Sequence, residues 1–317
     1  MSGIVPSSPE QLARAVDRLS QGELVAFPTE TVYGLGCDTF NADAIQKVYQ
    51  CKGRPIDNPL IAHLLDWTWV DRVATGWDAL CAALADAFWP GALTLVLHRG
   101  DGVPNDATGG RDTIAVRCPQ HPVARDLLAA FDGPVSAPSA NRSGHVSPTT
   151  AAHVASEFGD ERDLLIIDGG ACVQGIESTV VSMVGEATLL RPGTIGCEAI
   201  EAIIGPVVSA PVLAQDHAPG TAASHYAPET TLVVTMDPGK AVAEMGGPCA
   251  ALLLSADIGG DCDVIRMPDT AAAYGQGLYA AIRRADASDA MLIVVEKPPT
   301  HPEWDAIHDR LRRAAAT

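Results

Sequence analysis

Two cations, Lys52 and Arg54, stand one glycine apart in a segment rich in hydroxyl residues, glycine and proline. Lysine offers a point charge, and arginine offers a planar fork that can bind two oxygen atoms at once. Gly53 and Pro55 fix the backbone around the pair, so both side chains can converge on one anion. The spacing favours a polyphosphate site, and the alternative is a solvent-exposed turn.

The residues that precede this pair predict the secondary-structure elements that would position it. A short apolar strand, Leu24–Phe27, is stopped by proline and followed by a loop containing Thr29, Thr31 and two glycines. Asn41 or Asp43 then predicts the start of a helix that ends near the two cations. The predicted order is therefore strand, hydroxyl-rich loop, helix and cationic turn.

Other polar residues lie at the ends of predicted strands. Arg117 ends the strand that starts at Thr113, and Ser139 and Asn141 follow a short strand at 134–137. A strand-end arginine can bind a carboxylate through two hydrogen bonds, and a Ser/Asn loop can donate to phosphate or ribose. A surface salt bridge and an ordinary turn are the respective alternatives.

Three further residues are ambiguous from pattern alone. His63 lies late in a strand, and a packed core histidine is the alternative to a binding role. Arg191, which precedes a Pro-Gly turn, is a candidate of the same kind as Arg117. Tyr226 lies in a proline-flanked stretch, His225-Tyr226-Ala227-Pro228, which could close over a cleft or simply dock two domains.

Strands and helices alternate along the chain and predict an α/β fold. Residues 1–196 are expected to form a twisted mixed-sheet domain, and residues 197–228, rich in proline, an interdomain linker. Residues 229–317 read as a smaller α/β domain of simple alternating type. Its last helix carries Arg310, Arg312 and Arg313 near the C-terminus, which suits the helix dipole and predicts a structural or surface role.

Composition narrows the range of partners. The 317 residues carry a formal net charge of −18 and are 47% hydrophobic. So acidic a chain is poorly suited to coating a nucleic acid, although a local basic cleft could still bind a small anion. No apolar run approaches the roughly 18 residues that cross a bilayer, and no signal peptide is evident, so a cytoplasmic location is expected.

The eight cysteines form no Cys-x-x-Cys pair. Zinc-ribbon spacing is therefore absent, and a disulfide framework is not expected in a reducing compartment. The phosphate-binding loop Gly-x-x-x-x-Gly-Lys-Ser/Thr, the dinucleotide fingerprint Gly-x-Gly-x-x-Gly and the esterase motif Gly-x-Ser-x-Gly are also missing.

The ordered set of motifs resembles the threonylcarbamoyl-AMP synthase family in its two-domain form. The motifs that carry the resemblance are FPTETVYGLG at 27–36, Lys52-x-Arg54 with Pro55-x-x-Asn58-Pro59-Leu60, Ser139-x-Asn141, Ile176-Glu177-Ser178-Thr179-Val180, Arg191-Pro192-Gly193 and His225-Tyr226-Ala227-Pro228. Each motif is weak alone, but the ordered set is specific and covers nearly the whole chain. It implies a YrdC-like catalytic domain, a linker folding over the site and a small Rossmann-like C-terminal domain.

The resemblance implies a reaction in which L-threonine, bicarbonate and ATP give threonylcarbamoyl-adenylate and pyrophosphate. It implies Mg²⁺ accompanying ATP, and transfer of the product to tRNA by a partner complex, which forms N6-threonylcarbamoyladenosine. Lys52 and Arg54 would be the catalytic cations. The implied L-threonine pocket is Thr31, His63, Arg117, Ala137 and Ser178. The implied ATP contacts are Lys52, Arg54, Asn58, Thr113, Ser139, Asn141, Ser147, Arg191 and Tyr226.

One departure from the family pattern concerns the linker. Some members have Pro-Gly-Met-Lys before His-Tyr-Ala-Pro, whereas this chain has Pro219-Gly220-Thr221-Ala222 and lacks that lysine. Two alternative functions remain open from sequence. A carbamoyl-transfer protein of the hydrogenase-maturation type would bring cysteine pairs that are absent here. An RNA-binding module without synthase activity fits poorly with the net charge.

Overall fold

The computed structural model describes residues 3–159, 161, 163–209, 226–259 and 262–316. Within these, the larger unit has strands β1 (Gly3–Pro6), β2 (Val25–Phe27), β3 (Gly34–Asp38), β4 (Ile61–His63), β5 (Ala74–Thr75), β6 (Leu93–Arg99), β7 (Thr113–Arg117), β8 (Val135–Ser136), β9 (Leu165–Asp168), β10 (Thr179–Ser182), β11 (Thr188–Arg191) and β12 (Val208–Ser209). Its helices are α1 (Pro9–Ser20), α2 (Ala42–Lys52), α3 (Ala79–Phe88), α4 (Pro122–Phe131), α5 (Ala151–Glu157) and α6 (Cys197–Ile204).

These strands form one mixed sheet in the order β1-β9-β2-β3-β8-β4-β7-β6-β10-β11-β12, with β5 paired to β6. The sheet contains both parallel pairs, such as β4–β7, and antiparallel pairs, such as β6–β7. Apolar side chains of the central strands pack under the helices into a continuous core. The mixed-sheet α/β domain predicted from sequence is confirmed.

Helix ends in this unit follow the capping residues of the sequence. Ser8 accepts a hydrogen bond from the Gln11 amide at the start of α1, and Asn41 accepts one from the Ala44 amide at the start of α2. Gly53 ends α2 in the left-handed conformation, with φ of 59°. That conformation favours glycine, so the turn between the two cations depends on this residue.

The smaller unit is a four-stranded, all-parallel sheet with helices. Its elements are β13 (Leu232–Thr235), α7 (Pro238–Met245), β14 (Cys249–Leu253), β15 (Cys262–Arg266), α8 (Ala271–Asp286), β16 (Leu292–Glu296) and α9 (Asp305–Ala314). The strand order is β13-β16-β14-β15. This is the Rossmann-like arrangement expected for the C-terminal part of the chain.

The two units share an apolar cluster. Val32 and Ile176 of the larger unit are buried with Leu278 and Ile307 of the smaller one. The backbones approach so closely that a Cβ placed on Gly175 would lie 2.4 Å from the Gln276 carbonyl oxygen. The arrangement of the two units is therefore set by packing over a continuous interface.

Three features differ from the sequence predictions. The segment 34–38, predicted as loop, is strand β3, and the N-terminal segment 3–6 adds an edge strand beside β9. Cys249 and Cys262, on neighbouring strands with Cα atoms 4.7 Å apart, form a disulfide that the cysteine spacing did not indicate. Much of the predicted linker, including the departure at 219–222, lies outside the described residues. Within the described residues, no helix has the length and apolar character to cross a membrane.

Candidate active site

A cleft with a cavity volume of about 50 Å³ lies where β7 ends and β10 begins. Loops from several central strands form its wall. The residues lining the cleft are Thr29, Thr31, Val32, Gly34, Arg54, Ile61, His63, Arg117, Ala137, Pro138, Ser139, Glu177, Ser178, Arg191 and Tyr226. Residues far apart in the sequence, from Thr29 to Tyr226, thus meet at one cleft.

The cationic turn is anchored by oxygen atoms that carry no formal charge. Lys52 Nζ donates to the carbonyl oxygens of Ser139, at 2.7 Å, and Asn141. The Arg54 guanidinium donates to the Asn58 carbonyl and amide oxygens and to the Pro59 carbonyl oxygen, at 3.1, 2.5 and 3.0 Å. Both cations are buried. The side chain of Arg54 faces the cleft, and Lys52 lies behind Ser139.

Within the described residues, neither Lys52 nor Arg54 lies within 4.0 Å of a carboxylate. Burial lowers the pKa of Lys52 well below its ordinary value, and the charge of Arg54 lowers it further. Burial likewise lowers the pKa of Arg54 to about 10. Buried charges are costly unless an opposite charge accompanies them, so this pair is suited to an anionic ligand.

Arg117, in contrast, is held by a carboxylate. Its guanidinium donates to Glu30 at 2.6 Å, to the Thr31 hydroxyl at 2.9 Å and to the Gly91 carbonyl at 3.1 Å. Burial alone would raise the pKa of Glu30, but Arg117 and the Gln120 amide lower it overall. The described residues occupy three of the five N–H donors of an arginine. The fork is thereby oriented at the cleft with donors left for a ligand.

His63 forms an uncharged part of the cleft wall. Burial lowers its pKa to about 3, and the neighbouring Arg117 adds to the effect. One ring nitrogen lies 3.1 Å from the Ile61 carbonyl oxygen, and the ring packs edge-on against Phe27. The imidazole is therefore neutral at pH 7. Ala137, which also lines the cleft, donates its amide to the same Ile61 carbonyl.

A second buried carboxylate, Glu177, lies in the cleft wall. Glu177 accepts from the Ser147 hydroxyl at 2.6 Å, from the Tyr279 hydroxyl at 2.8 Å and from Arg310 Nε at 2.9 Å. Burial would raise its pKa, but Arg310 and Arg191 lower it overall. Glu177 is thus an anion in the cleft wall, held by groups from both units.

Arg191 and Tyr226 complete this wall. Arg191 donates to the Ser178 carbonyl oxygen and hydroxyl at distances of 3.0–3.2 Å. Ser178 also shares a 2.7 Å hydrogen bond with Thr94. The ring of Tyr226 stacks on Tyr279 with centroids 5.6 Å apart, and burial raises its pKa to about 12. The tyrosine expected to close the cleft therefore lies in its wall.

Most of the predicted site residues lie on or next to this cleft. The predicted residues lining it are Thr31, Arg54, His63, Arg117, Ala137, Ser139, Ser178, Arg191 and Tyr226. Lys52, Asn58 and Ser147 lie one hydrogen bond behind the wall, and Asn141 lies behind Lys52. Thr113 does not join them, because it begins β7 opposite His98 while the cleft lies at the other end of that strand.

Sequence reasoning missed two carboxylates and one arginine. Glu177 lines the cleft, Glu30 holds the cleft residue Arg117, and Arg310 holds Glu177 from α9. The two glutamates stand inside motifs that were recognised, FPTET and Ile176-Glu177-Ser178, so a local signal existed for them. Arg310 had none, because its partner lies 133 residues away.

The described residues contain no group of three or more His, Cys, Asp or Glu side chains suited to a metal ion. Glu177 in the cleft wall is already engaged by Arg310, and Glu30 near it by Arg117. These side chains do not form a Mg²⁺ site. A magnesium ion accompanying a nucleotide would have to be held mainly by phosphate oxygens.

The chain is similar to known proteins along nearly its whole length. The family described as telomere recombination, of Sua5, YciO and YrdC type, matches residues 17–193, and the family described as threonylcarbamoyl-AMP synthase, C-terminal domain, matches residues 195–316. A threonylcarbamoyl-AMP synthase of Bacillus subtilis is 39% identical, covering 96% of this chain and 93% of the relative. One from Pyrococcus abyssi is 37% identical, covering 94% and 92%. The crystal structure of P. abyssi Sua5 complexed with L-threonine superposes with a TM-score of 0.92 at 36% identity, covering 99% of this chain and 97% of that one.

Proposed function

Because the chain belongs to the threonylcarbamoyl-AMP synthase family, we propose that it makes threonylcarbamoyl-AMP and pyrophosphate from L-threonine, bicarbonate and ATP. In class terms this is a nucleotidyl transfer, since the adenylyl group of ATP moves to a carbamate oxygen. The observation that carries the proposal is the pair of buried cations, Lys52 and Arg54, which neutral oxygens hold and which no carboxylate accompanies among the described residues.

The substrates meet as anions in this reaction. The threonine amine and bicarbonate form a carbamate with loss of water, and a carbamate oxygen attacks the α-phosphorus of ATP. The bond from that phosphorus to the bridging oxygen breaks, and pyrophosphate leaves. Cations fixed in advance lower the repulsion between the two anions as they approach. Arg54, on the cleft wall, and Lys52, behind Ser139, supply these positive charges.

The threonine carboxylate has a receptor in Arg117. Glu30 and the Thr31 hydroxyl fix the orientation of the guanidinium, so its remaining donors point in a set direction. Neutral His63 and Ala137 line the same wall and leave room for a small side chain. The P. abyssi structure was solved in complex with L-threonine, which supports threonine as the substrate. Catalysis is then mainly positioning and charge stabilisation, without a covalent nucleophile.

The nucleotide occupies the other side of the cleft in this proposal. Ser139 and Arg191 line that side with Tyr226, while Asn58, Asn141 and Ser147 support the wall from behind. Asn141 Oδ1 is buried without a hydrogen-bond partner among the described residues. Mg²⁺ enters on the phosphates of ATP. Omission of Mg²⁺ should therefore abolish turnover, and Mn²⁺ should restore part of it.

The product is proposed to pass to a partner complex that transfers it to tRNA. The enzyme itself is not expected to bind tRNA stably at physiological salt, because its net charge is −18. A gel-shift with unmodified tRNA tests this point. The cytoplasm stays the predicted compartment.

The test of the function is pyrophosphate release from ATP, with L-threonine and bicarbonate each present or omitted. Release that requires both, with the carbamoyl-adenylate identified by mass spectrometry, is the expected result. Release that ignores threonine but requires carbamoyl phosphate would instead favour carbamoyl transfer. Absence of release under every condition would refute an adenylating enzyme.

A further inference from the structure

Glu177 poses a problem for any anionic substrate. Its carboxylate lies in the wall of a cleft that also contains Arg54 and Arg191, and its lowered pKa keeps it charged at pH 7. A negative charge beside a polyphosphate is repulsive over several ångströms when the surroundings are dry. The structure must therefore compensate this charge before a nucleotide can bind.

The compensating charge comes from the smaller unit. Arg310, on α9, donates through Nε to Glu177 Oε2 at 2.9 Å and through a second nitrogen to the Glu177 carbonyl oxygen at 3.2 Å. A third nitrogen donates to the Pro192 carbonyl at 2.7 Å. Its side chain is fully buried and does not line the cleft. Arg310 thus acts on the wall from behind.

The same contacts hold the aromatic part of the wall. Tyr279, on α8, donates to Glu177 and stacks on Tyr226, and the Arg310 guanidinium carbon lies 5.6 Å from the centre of the Tyr226 ring. Tyr226 adopts a positive φ of 63°, which a bulky residue rarely does unless its surroundings impose it. Two side chains of the smaller unit therefore set the position of one cleft carboxylate and one cleft aromatic ring.

We propose that Arg310 is a positioning residue for nucleotide binding, which neutralises Glu177 and so makes the cleft wall compatible with a polyphosphate. Tyr279 assists by fixing Glu177 and Tyr226 together. The smaller unit is accordingly part of the nucleotide site, although none of its described side chains lines the cleft. This inference rests on the proposed function, because it takes the cleft ligand to be ATP.

The test compares Arg310→Met with the double variant Arg310→Met/Glu177→Gln. The probe is α,β-methylene-ATP with MgCl₂, and its dissociation constant is measured by calorimetry. We expect the single variant to bind about 10- to 100-fold more weakly, the effect of one uncompensated charge some ångströms from phosphate. The double variant should return to within about threefold of the wild-type value, because no charge is then left unpaired.

A matched control and a second readout separate this role from a general loss of structure. Arg312→Met also removes an arginine of α9 that donates to Asp309, as Arg310 does, but Arg312 contacts no group of the cleft wall among the described residues and should leave nucleotide affinity unchanged. The KM for L-threonine should change by less than about threefold in Arg310→Met, since the described contacts of Arg117 are with Gly91, Thr31 and Glu30 and not with Glu177 or Arg310. Where Arg310→Met fails to fold, Arg310→Gln takes its place in both variants, because glutamine can still donate to Glu177 but removes the positive charge.

Weak binding by the double variant, or unchanged binding by a folded Arg310→Met protein, would overturn the inference. The proposed function fails separately, if the wild-type protein binds the analogue but releases no pyrophosphate with threonine and bicarbonate. A wild-type protein that binds no nucleotide would refute both.

Discussion

Replacing Arg54 by methionine should leave the fold nearly as stable and remove nucleotide binding. Burial lowers the pKa of Arg54 from 12.5 to about 10, and at about 1.4 kcal/mol per pKa unit the charge costs the folded state about 3 kcal/mol. The guanidinium is charged in both folded and unfolded states at pH 7, so this cost applies fully. Methionine removes it.

The opposing loss is three hydrogen bonds, to the two Asn58 oxygens and the Pro59 carbonyl. At about 1 kcal/mol each, they contribute about 3 kcal/mol. The two effects nearly cancel, so the melting temperature of Arg54→Met should stay within about 4 °C of the wild type. ATP at about 100 times its dissociation constant should stabilise the wild type by about 2.7 kcal/mol and the variant not at all.

Thermal unfolding with and without ATP and Mg²⁺ measures both quantities. Arg99→Met is the control, because Arg99 also donates to backbone carbonyls, those of Val103 and Arg111, but does not line the cleft. It should keep the full stabilisation by ATP. The reasoning is refuted if Arg54→Met melts far below the wild type yet retains that stabilisation, since Arg54 would then be a structural residue.

Three further predictions concern other parts of the molecule. Glu30→Gln should lower the free energy of unfolding by about 3 kcal/mol at neutral pH, because it leaves a buried arginine uncompensated. Since the folded-state pKa of Glu30 is lowered, wild-type stability should decline as the pH falls below about 4.5 in urea titrations, and the variant should lack that part of the decline. The lowered pKa of Lys52 predicts that kcat/KM falls as the pH rises through a value well below 10.5, and Lys52→Arg should abolish this limb even at reduced activity. Gly175→Val places a side chain against the Gln276 backbone and should separate the two units, which small-angle scattering would detect as expansion. Gly185→Val, with a similar φ of 78° but open space around its Cβ position, should not expand the molecule.

Local sequence signals predicted the elements well where capping and punctuation were strong. The strand at 113–117 and the helix that ends at the cationic turn follow the residues that delimit them. Strand β3 was missed because its two glycines disfavour strand. A Cβ on Gly36 would lie 2.7 Å from the Phe27 ring, so close packing between neighbouring strands requires glycine there.

The cations of the site were predictable, and their partners were not. The spacing of Lys52 and Arg54 indicated an anion site, whereas the position of Arg310 near the end of its helix indicated only an interaction with the helix dipole. The pairing of Arg310 with Glu177 depends on how two units dock, and no periodicity within either unit encodes that docking. Residues that act through tertiary contacts leave a weaker trace than those that act through a local motif.

The sheet topology also bears on the order in which the molecule folds. The edge strand β1 pairs in parallel with β9, so Gly3 has no strand partner until Leu165 has been synthesised. Glu177 acquires its counter-charge only when α9 is available, near the end of the chain. During synthesis from the N-terminus, long-range pairings of this kind are completed late. We therefore expect stalled nascent chains that lack α9 to have a protease-resistant sheet but no affinity for nucleotide. The protein then becomes able to bind nucleotide only late in its synthesis.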